Sequence, residues 1–333
     1  MIPLRFSSPL CDSFELYIIY HQQGNNLTDI AVFILLGFQG SPQLRLSLFS
    51  LLLVVFSVTV CGNLLIITLV STSKILHTPM YFFISQLSIC DISLTSDVVP
   101  NLLHILLYNG APITFIGCMT QFYFFCVAET FECLLLTVMS YDRYVAICNP
   151  LRYSSIMTSP LCVKLSIVAW LVSFSVAFFD TFTTSRLKFC GSNIIDHLLC
   201  DLIPLQEISC SDTFPLNLQM YLQSFLFVII PIIIIVASYV NIIRTILSIP
   251  SNISRQKAFS TCSSHLIVVS IFYWTMFSVH VFPTRGQTSN ANKILSLLYT
   301  VFTPLANPII YSLRNKDIKK SAQEAIHRQI NFL

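Results

Sequence analysis

The chain has 333 residues, of which 55% are hydrophobic and only 10% are charged, against about 25% charged in a typical soluble domain. Its net charge of +3 is too small to indicate a nucleic-acid-binding protein. With 8 glycines, it has neither a phosphate-binding glycine-rich loop nor a dinucleotide motif. The mean hydropathy of +0.75 therefore predicts one membrane-embedded domain.

The N-terminal segment, residues 1–45, is mixed in composition and is expected to lie outside the cell. Residues 1–22 do not resemble a signal peptide, because Asp12 and Glu15 interrupt any apolar core. The tripeptide Asn-Leu-Thr that begins at Asn26 is an N-glycosylation sequon. Asn26 is therefore the predicted glycosylation site.

Seven apolar segments follow, and each is near the roughly 20 residues that a membrane-spanning helix needs. Prolines inside several of them are expected to kink the helices, because neighbouring helices can re-satisfy the freed backbone groups. We predict an all-α membrane protein with a seven-helix bundle over 46–313 and a tail over 314–333. The predicted spans are about 46–70, 80–103, 115–138, 163–183, 220–243, 264–282 and 293–313.

Lysine and arginine predict the orientation. With the N-terminus outside, twelve of the 18 Lys and Arg residues fall on the cytoplasmic side and six on the outer side. The excess of positive charge inside supports an extracellular N-terminus and a cytoplasmic C-terminus. The tail has apolar positions at 318, 322, 325 and 326 with basic flanks, which predicts a short amphipathic helix on the inner leaflet.

The same topology divides the twelve cysteines. Cys118 opens the third segment on the outer side, and Cys190, Cys200 and Cys210 lie in the long outer loop that follows the fourth. Four cysteines in an oxidising compartment most simply form two disulfides. A zinc site using His197 and Cys200 is the less favoured alternative.

A few polar residues lie inside the apolar segments, where they indicate function by default. Glu132 precedes Arg143 by eleven residues, or ~16 Å of helix, which places it at mid-membrane depth together with Asp91. Asn63 and Asn307 can join them. Such a cluster can hold a sodium ion, share a proton, or only pack. No nucleophile–base pair or metalloprotease motif appears, so we do not expect an enzyme.

The pair Asp142-Arg143 follows the third apolar segment, which contains neither Lys nor Arg. Each charge would cost about 2.5–3.5 kcal/mol inside hydrocarbon, so the pair should lie at the cytoplasmic boundary. Arg143 is then either an ordinary interfacial arginine or part of a switch.

Four motifs in chain order resemble the signatures of vertebrate odorant receptors, a family of rhodopsin-like G-protein-coupled receptors. They are Leu-His-Thr-Pro-Met-Tyr at 76–81, Met-Ser-Tyr-Asp-Arg-Tyr-Val-Ala-Ile-Cys at 139–148, Lys-Ala-Phe-Ser-Thr-Cys at 257–262 and Asn-Pro-Ile-Ile-Tyr at 307–311. With smaller matches, the resemblance covers nearly all of 26–320.

The resemblance implies a multi-pass plasma-membrane receptor that binds a small volatile or weakly polar molecule. It also implies coupling to a stimulatory heterotrimeric G protein and the cAMP pathway. Two alternatives are a chemoreceptor of the same lineage that detects a metabolite outside olfaction, and a transporter. An odd number of spans and the lack of matched broken helices in two halves count against a transporter.

The resemblance also assigns roles to residues. Asp142 would hold Arg143 at rest, and Arg143 would move toward Tyr239 on activation. The implied disulfides are Cys118–Cys200 and Cys190–Cys210. The full set of implied switch residues is Asp142, Arg143, Tyr144, Tyr239, Asn307, Pro308 and Tyr311.

The ligand pocket is expected to be concave and mostly apolar, in the outer half of the bundle. Glu129 replaces a residue that is usually small; it is either protonated and locally satisfied or tunes the pocket toward amines. Trp274 stands where a glycine is usual and is expected beside the pocket. The candidate lining residues are Phe125, Cys126, Glu129, Thr130, Gln223, Phe227, Tyr273, Phe277, His280 and Thr300.

Overall fold

A computed structural model describes residues 31–190, 192–281 and 289–332. Within these ranges, seven long helices follow one another, and all except the sixth are long and apolar enough to cross a bilayer. The sixth carries a shorter apolar stretch, Cys262–Phe277. The helices are α1 (Pro42–Thr72), α2 (Pro79–Tyr108), α3 (Phe115–Cys148), α4 (Ser159–Thr184), α5 (Phe214–Ser248), α6 (Asn252–Val281) and α7, with consecutive segments Ser289–Leu297, Leu298–Phe302 and Thr303–Arg314.

Each helix overlaps one predicted span, and most of them extend beyond it. α3, for example, continues to Cys148, whereas the apolar segment was expected to end at 138. The apolar signal stops where polar and charged residues begin, but a helix can continue through them once its end reaches water or protein. Apolar length therefore locates a span better than it locates the helix ends.

α3 lies at the centre of the bundle and packs against α2, α4 and α5. Phe131 of α3 stacks on Trp170 of α4 with ring centroids 3.8 Å apart. The indole Nε1 of Trp170 donates to Gln86 Oε1 of α2 at 3.2 Å, which satisfies its polar atom inside the bundle. Exposed apolar side chains on the outer faces, such as Val54 and Ile233, form the surface expected against lipid.

Two prolines each follow a widened helical turn. Pro231 comes after the π-helical segment Phe225–Ile229 of α5, and Pro304 comes after Leu298–Phe302 of α7. A proline has no N–H and its ring clashes with the carbonyl four residues earlier. In both helices that carbonyl belongs to the π-helical segment, so the wider turn absorbs the clash.

A three-stranded sheet covers the outer end of the bundle, with strand order β2-β1-β3. The strand β1 (Val32–Leu35) pairs antiparallel with β2 (Ala111–Thr114) and parallel with β3 (Ile194–Ile195). Residues 33–35 are buried. The sequence analysis did not predict this sheet, since strands of two to four residues are too short for a period-2 pattern.

The predicted helix after the last span is present as α8 (Lys316–Phe332). Its Ile318 is buried, and Ser321 Oγ lies 2.9 Å from Ser73 Oγ at the end of α1. The Tyr81 hydroxyl donates to Asn315 Oδ1 at 3.0 Å and to Asp317 Oδ2 at 2.9 Å. α8 is thus fixed to the inner ends of α1 and α2.

Candidate functional site

Two disulfides hold the long outer loop in place. Cys118 at the start of α3 is bonded to Cys200, and Cys190 is bonded to Cys210. These are the pairings that the resemblance implies. Cys200 is consumed by its disulfide, which removes it as a ligand for the alternative zinc site.

A buried lysine ties the same loop to α7 and to the N-terminal segment. Lys293 is 2% exposed, and its Nζ donates to Asp196 Oδ1 at 2.5 Å and to the Gly37 carbonyl at 2.8 Å. Gly37 has a φ of +65°, a left-handed conformation that favours glycine. Lys293 begins the seventh predicted span, and the sequence analysis did not anticipate that its side chain would be buried.

His197 is buried in the same region. Its Nε2 lies 3.2 Å from Ser296 Oγ of α7, and its Nδ1 lies 3.3 Å from the Leu199 carbonyl. Burial lowers the pKa of His197 below its ordinary value, and the positive charge of Lys293 adds to the lowering. The imidazole is therefore neutral in the folded protein at neutral pH.

Beneath this loop lies a cavity of about 720 Å³, bordered by α3, α4, α5, α6, α7 and the loop. Ten side chains were predicted to line a pocket here. Six of them do line this cavity, and they all come from α3 and α5: Phe125, Cys126, Glu129, Thr130, Gln223 and Phe227.

Three of the other four candidates lie elsewhere. The Tyr273 hydroxyl donates to the Cys133 carbonyl at 3.4 Å, Phe277 is half-exposed, and Thr300 is buried with its hydroxyl bonded to the Ser296 carbonyl at 2.7 Å. The side chain of His280 lies outside the described residues. These three side chains are therefore not part of the lining of this cavity.

The neighbouring residues Met276 and Tyr299 line the cavity instead. One residue turns a helix by about 100°, so an error of one position changes the face on which a side chain lies. In α7 the π-helical segment Leu298–Phe302 further changes the direction in which the side chains point.

Trp274 was expected beside the pocket, but it is 72% exposed on the outer surface of α6.

The sequence analysis missed a polar group on the cavity wall. Asp180 of α4 accepts hydrogen bonds at Oδ1 from Gln219 Nε2 at 2.5 Å and from Gln223 Nε2 at 2.7 Å. A charged residue inside an otherwise apolar segment was the available signal. The loop residues Asp201, Leu202, Ile203 and Gln206 also line the cavity, and no sequence pattern indicated them.

The predicted mid-membrane cluster is assembled below the cavity. Asn307 Nδ2 of α7 donates to both oxygens of Asp91 at 3.1 Å. Asn63 Nδ2 of α1 donates to the Pro304 carbonyl at 3.3 Å. Glu132 is buried beside them, and among the described residues neither Glu132 Oε1 nor Asn63 Oδ1 has a hydrogen-bond partner.

At the cytoplasmic end, Arg143 is bound by its neighbour. Its Nη2 and Nε donate to Asp142 Oδ2 at 2.5 and 3.0 Å, while the Tyr153 hydroxyl donates to Asp142 Oδ1 at 2.8 Å. Burial raises the pKa of Tyr153, and the nearby Asp142 charge raises it further. Tyr144, which follows Arg143 in the motif at 139–148, is partly buried.

Among the described residues, the switch tyrosines Tyr239 and Tyr311 make no hydrogen bond to Arg143. The Tyr239 hydroxyl lies 2.6 Å from His265 Nδ1 of α6, and the Tyr311 hydroxyl is buried without a partner among the described residues. Arg143 and Tyr311 both line a small inner cavity of about 210 Å³. The arginine is thus held by Asp142, while Tyr239 is held by His265.

A family model for olfactory receptors matches residues 51–329. The human proteins Olfactory receptor 10A7 and Olfactory receptor 11L1 are each 44% identical to this chain, over 92% of it and 96% of their own length. The chain belongs to the olfactory receptor family. A mouse member, Olfactory receptor 5AP2, is 43% identical over 92% of this chain and 97% of its own.

The fold of this olfactory receptor is that of rhodopsin. A crystal structure of squid rhodopsin matches with a TM-score of 0.69 at 19% identity, covering 88% of each chain. As a member of the olfactory receptor family with this fold, the protein is a multi-pass G-protein-coupled receptor of the plasma membrane and not an enzyme. Its partners are a small-molecule ligand and a G protein.

Proposed function

We propose that this receptor binds small, mostly apolar molecules in the 720 Å³ cavity and activates a stimulatory G protein, which raises cAMP. The observation that carries the proposal is the position of α3. This helix supplies Glu129 to the cavity wall and Arg143 to the cytoplasmic end, and 14 residues, roughly 21 Å of helix, separate them.

Binding in the cavity can reach Arg143 because one rigid element joins the two sites. A ligand that changes the packing of α3 against α5 and α6 would shift the balance between two arrangements of the inner end. In the resting arrangement, Asp142 holds Arg143. In the active arrangement, Arg143 leaves Asp142, Tyr239 leaves His265, and Tyr311 turns inward.

The rhodopsin-like fold does not determine which ligand a receptor binds, so the ligand must be found by a functional screen. Cells that express the receptor and report cAMP should respond to some members of an odorant panel, while mock-transfected cells should not. Weakly polar ligands offer few hydrogen bonds, so we expect a dissociation constant in the micromolar range. This corresponds to a binding free energy of about −8 kcal/mol. A response through another second messenger, without any change in cAMP, would contradict the stimulatory coupling.

We also propose that the cluster around Asp91 holds a sodium ion, with a proton shared between Asp91 and Glu132 as the alternative. The donor set fits a small hard cation, since Glu132 Oε1 and Asn63 Oδ1 are buried oxygens beside a carboxylate and have no hydrogen-bond partner within the described part of the chain. These residues would hold the ion and fix α2 and α3 in the resting arrangement.

Sodium replacement distinguishes the two cases. Replacing external sodium with choline should raise basal cAMP in the wild-type receptor and have no effect in Asp91→Asn. Equal behaviour of the two proteins would favour the shared proton.

A further inference from the structure

We propose that the cavity selects cationic ligands, namely small amines that are protonated at neutral pH and carry an apolar body. This inference rests on the function proposed above and specifies its ligand class. Four carboxyl side chains line the cavity, and they come from α3, α4 and the long outer loop: Glu129, Asp180, Asp201 and Glu207. Among the described lining residues, none is lysine, arginine or histidine.

Three of these carboxyl groups belong to three different parts of the wall. Glu129 is on α3, Asp180 is on α4 and Asp201 is in the long outer loop, and all three line the same cavity as Cys126. Charges interact more strongly in such a partly desolvated space than in water. An anionic ligand would be repelled, an alcohol would gain little, and an ammonium group would be attracted.

The glutamines on the wall add hydrogen-bond acceptors to this region. Gln219 and Gln223 both donate their amide nitrogens to Asp180 Oδ1. Because the carbonyl oxygen of an amide points away from its nitrogen, this arrangement turns the two oxygens away from Asp180. An alkylammonium group offers only donors, so it is matched to an environment of acceptors.

A separate observation, the buried hydroxyl of Thr184, also points to a ligand in this cavity. Thr184, at the end of α4, lines the cavity and is 1% exposed, and its Oγ1 has no hydrogen-bond partner among the described residues. A buried hydroxyl left in this way is costly, and a bound molecule or water can satisfy it. The Thr184 hydroxyl is therefore a buried polar group that a ligand in the cavity can satisfy.

Aromatic side chains form the other part of the wall. Phe125 and Tyr299 lie with ring centroids 5.5 Å apart, and Phe227 of α5 also lines the cavity. These rings can take the hydrocarbon part of a ligand, and their faces can also stabilise a nearby cation. The expected ligand is therefore an amphiphilic amine.

A matched set of compounds tests the inference on the wild-type receptor. The probes are the straight-chain C5 to C8 primary amines, with the alcohols and carboxylic acids of the same chain lengths, at pH 7.4. The readouts are cAMP in receptor-expressing cells and ligand binding to the purified receptor. At least one amine should be more potent than its alcohol by about tenfold or more, and the acids should be inactive.

Two isosteric variants and one control locate the effect. Glu129→Gln and Asp180→Asn should each raise the half-maximal concentration of the active amine by about tenfold or more and leave that of the alcohols unchanged. Asp212→Asn removes a carboxylate from the same outer loop but outside the cavity lining, and it should change neither value. Surface staining of each variant shows whether it folds and reaches the membrane.

The outcomes separate this inference from the proposed function. If alcohols or acids raise cAMP as well as or better than amines, the receptor function stands and the amine inference fails. If amines bind but cAMP does not rise, the amine inference stands and the stimulatory coupling fails. If no amine binds, or if both variants respond to amines like the wild type, the amine inference is overturned.

Discussion

At the scale of single residues, the Asp142 carboxylate organises the cytoplasmic end. It accepts from Arg143 with one oxygen and from Tyr153 with the other, and it is fully buried. A buried carboxylate with both oxygens satisfied is a stable partner for an arginine, whereas the loss of one donor leaves a desolvated atom unpaired. This contrast predicts different effects for changes at Arg143 and at Tyr153.

Replacing the arginine should remove signalling. We expect Arg143→Ala to abolish ligand-induced cAMP while much of the receptor still reaches the surface, since the residue is at the membrane boundary. Arg152→Ala is the control, because Arg152 is an exposed cytoplasmic arginine near the same site. Normal cAMP signalling by Arg143→Ala would show that Arg143 is an ordinary interfacial arginine and not part of a switch.

Removing the tyrosine hydroxyl should loosen the resting arrangement. In Tyr153→Phe, Asp142 Oδ1 loses its donor, and the contact with Arg143 is weakened. We expect basal cAMP to rise about twofold to tenfold, which corresponds to a loss of roughly 0.5–1.5 kcal/mol. Tyr141→Phe, at a largely exposed tyrosine of α3, should leave basal cAMP unchanged. A decrease in Tyr153→Phe would contradict this account.

At the scale of secondary-structure elements, the sequence predicted which helices exist better than it predicted which way they face. Each of the seven predicted apolar segments overlaps one long helix of the described residues, because a bilayer imposes a minimum apolar length. The faces of α6 and α7 were misplaced by one residue at Phe277 and Thr300, since Met276 and Tyr299 line the cavity instead. A π-helical segment changes the rotation of everything after it, and neither its presence nor a helix's rotation can be computed from apolar length alone.

Close contact between α1 and α7 gives a test of packing at this scale. A Cβ at Gly62 would lie 3.2 Å from Pro308 Cβ, which is a tight contact with a rigid ring. We expect Gly62→Val to lower the free energy of unfolding by about 1–3 kcal/mol. Gly40→Val is the control, since its nearest neighbour is the flexible side chain of Leu44, and it should cost less. Thermal unfolding of the purified receptors measures both.

At the scale of the whole molecule, the outer half depends on residues that are distant in sequence. The cavity wall combines α3, α4 and α5 with a loop that is held by two disulfides, a three-stranded sheet and Lys293. The resemblance provided the disulfide pairs, and positions on the predicted helices provided six of the residues that line the cavity. The loop contribution of Asp201 to Gln206 could not be predicted, since a loop has no periodicity from which to place its side chains.

The buried His197 makes the stability of this outer half depend on pH. Its pKa is lowered in the folded protein, while the unfolded chain takes up a proton near pH 6.5. Asp196 and Asp201 oppose the lowering, but burial is the largest cause. The contribution of His197 to stability is therefore complete above about pH 6.5 and is lost as the pH falls from there through the lower folded-state pKa.

The melting temperature of the purified receptor should fall between pH 7.5 and pH 5. In His197→Asn this fall should be smaller, because that variant lacks the titrating imidazole. Other groups also titrate over the range, so the difference between the two proteins is the quantity to measure. Equal slopes would show that His197 does not contribute.

The strand β1 sets a practical limit on how this receptor can be engineered. An epitope tag fused at the N-terminus can measure how much receptor reaches the cell surface, and a leader sequence fused there can promote it. Since residues 33–35 are buried between β2 and β3, a fusion that replaces the chain up to about residue 30 keeps the sheet, whereas one that begins at Leu36 removes its central strand. Loss of display in the longer truncation would then reflect an open outer loop and not a failure of the tag.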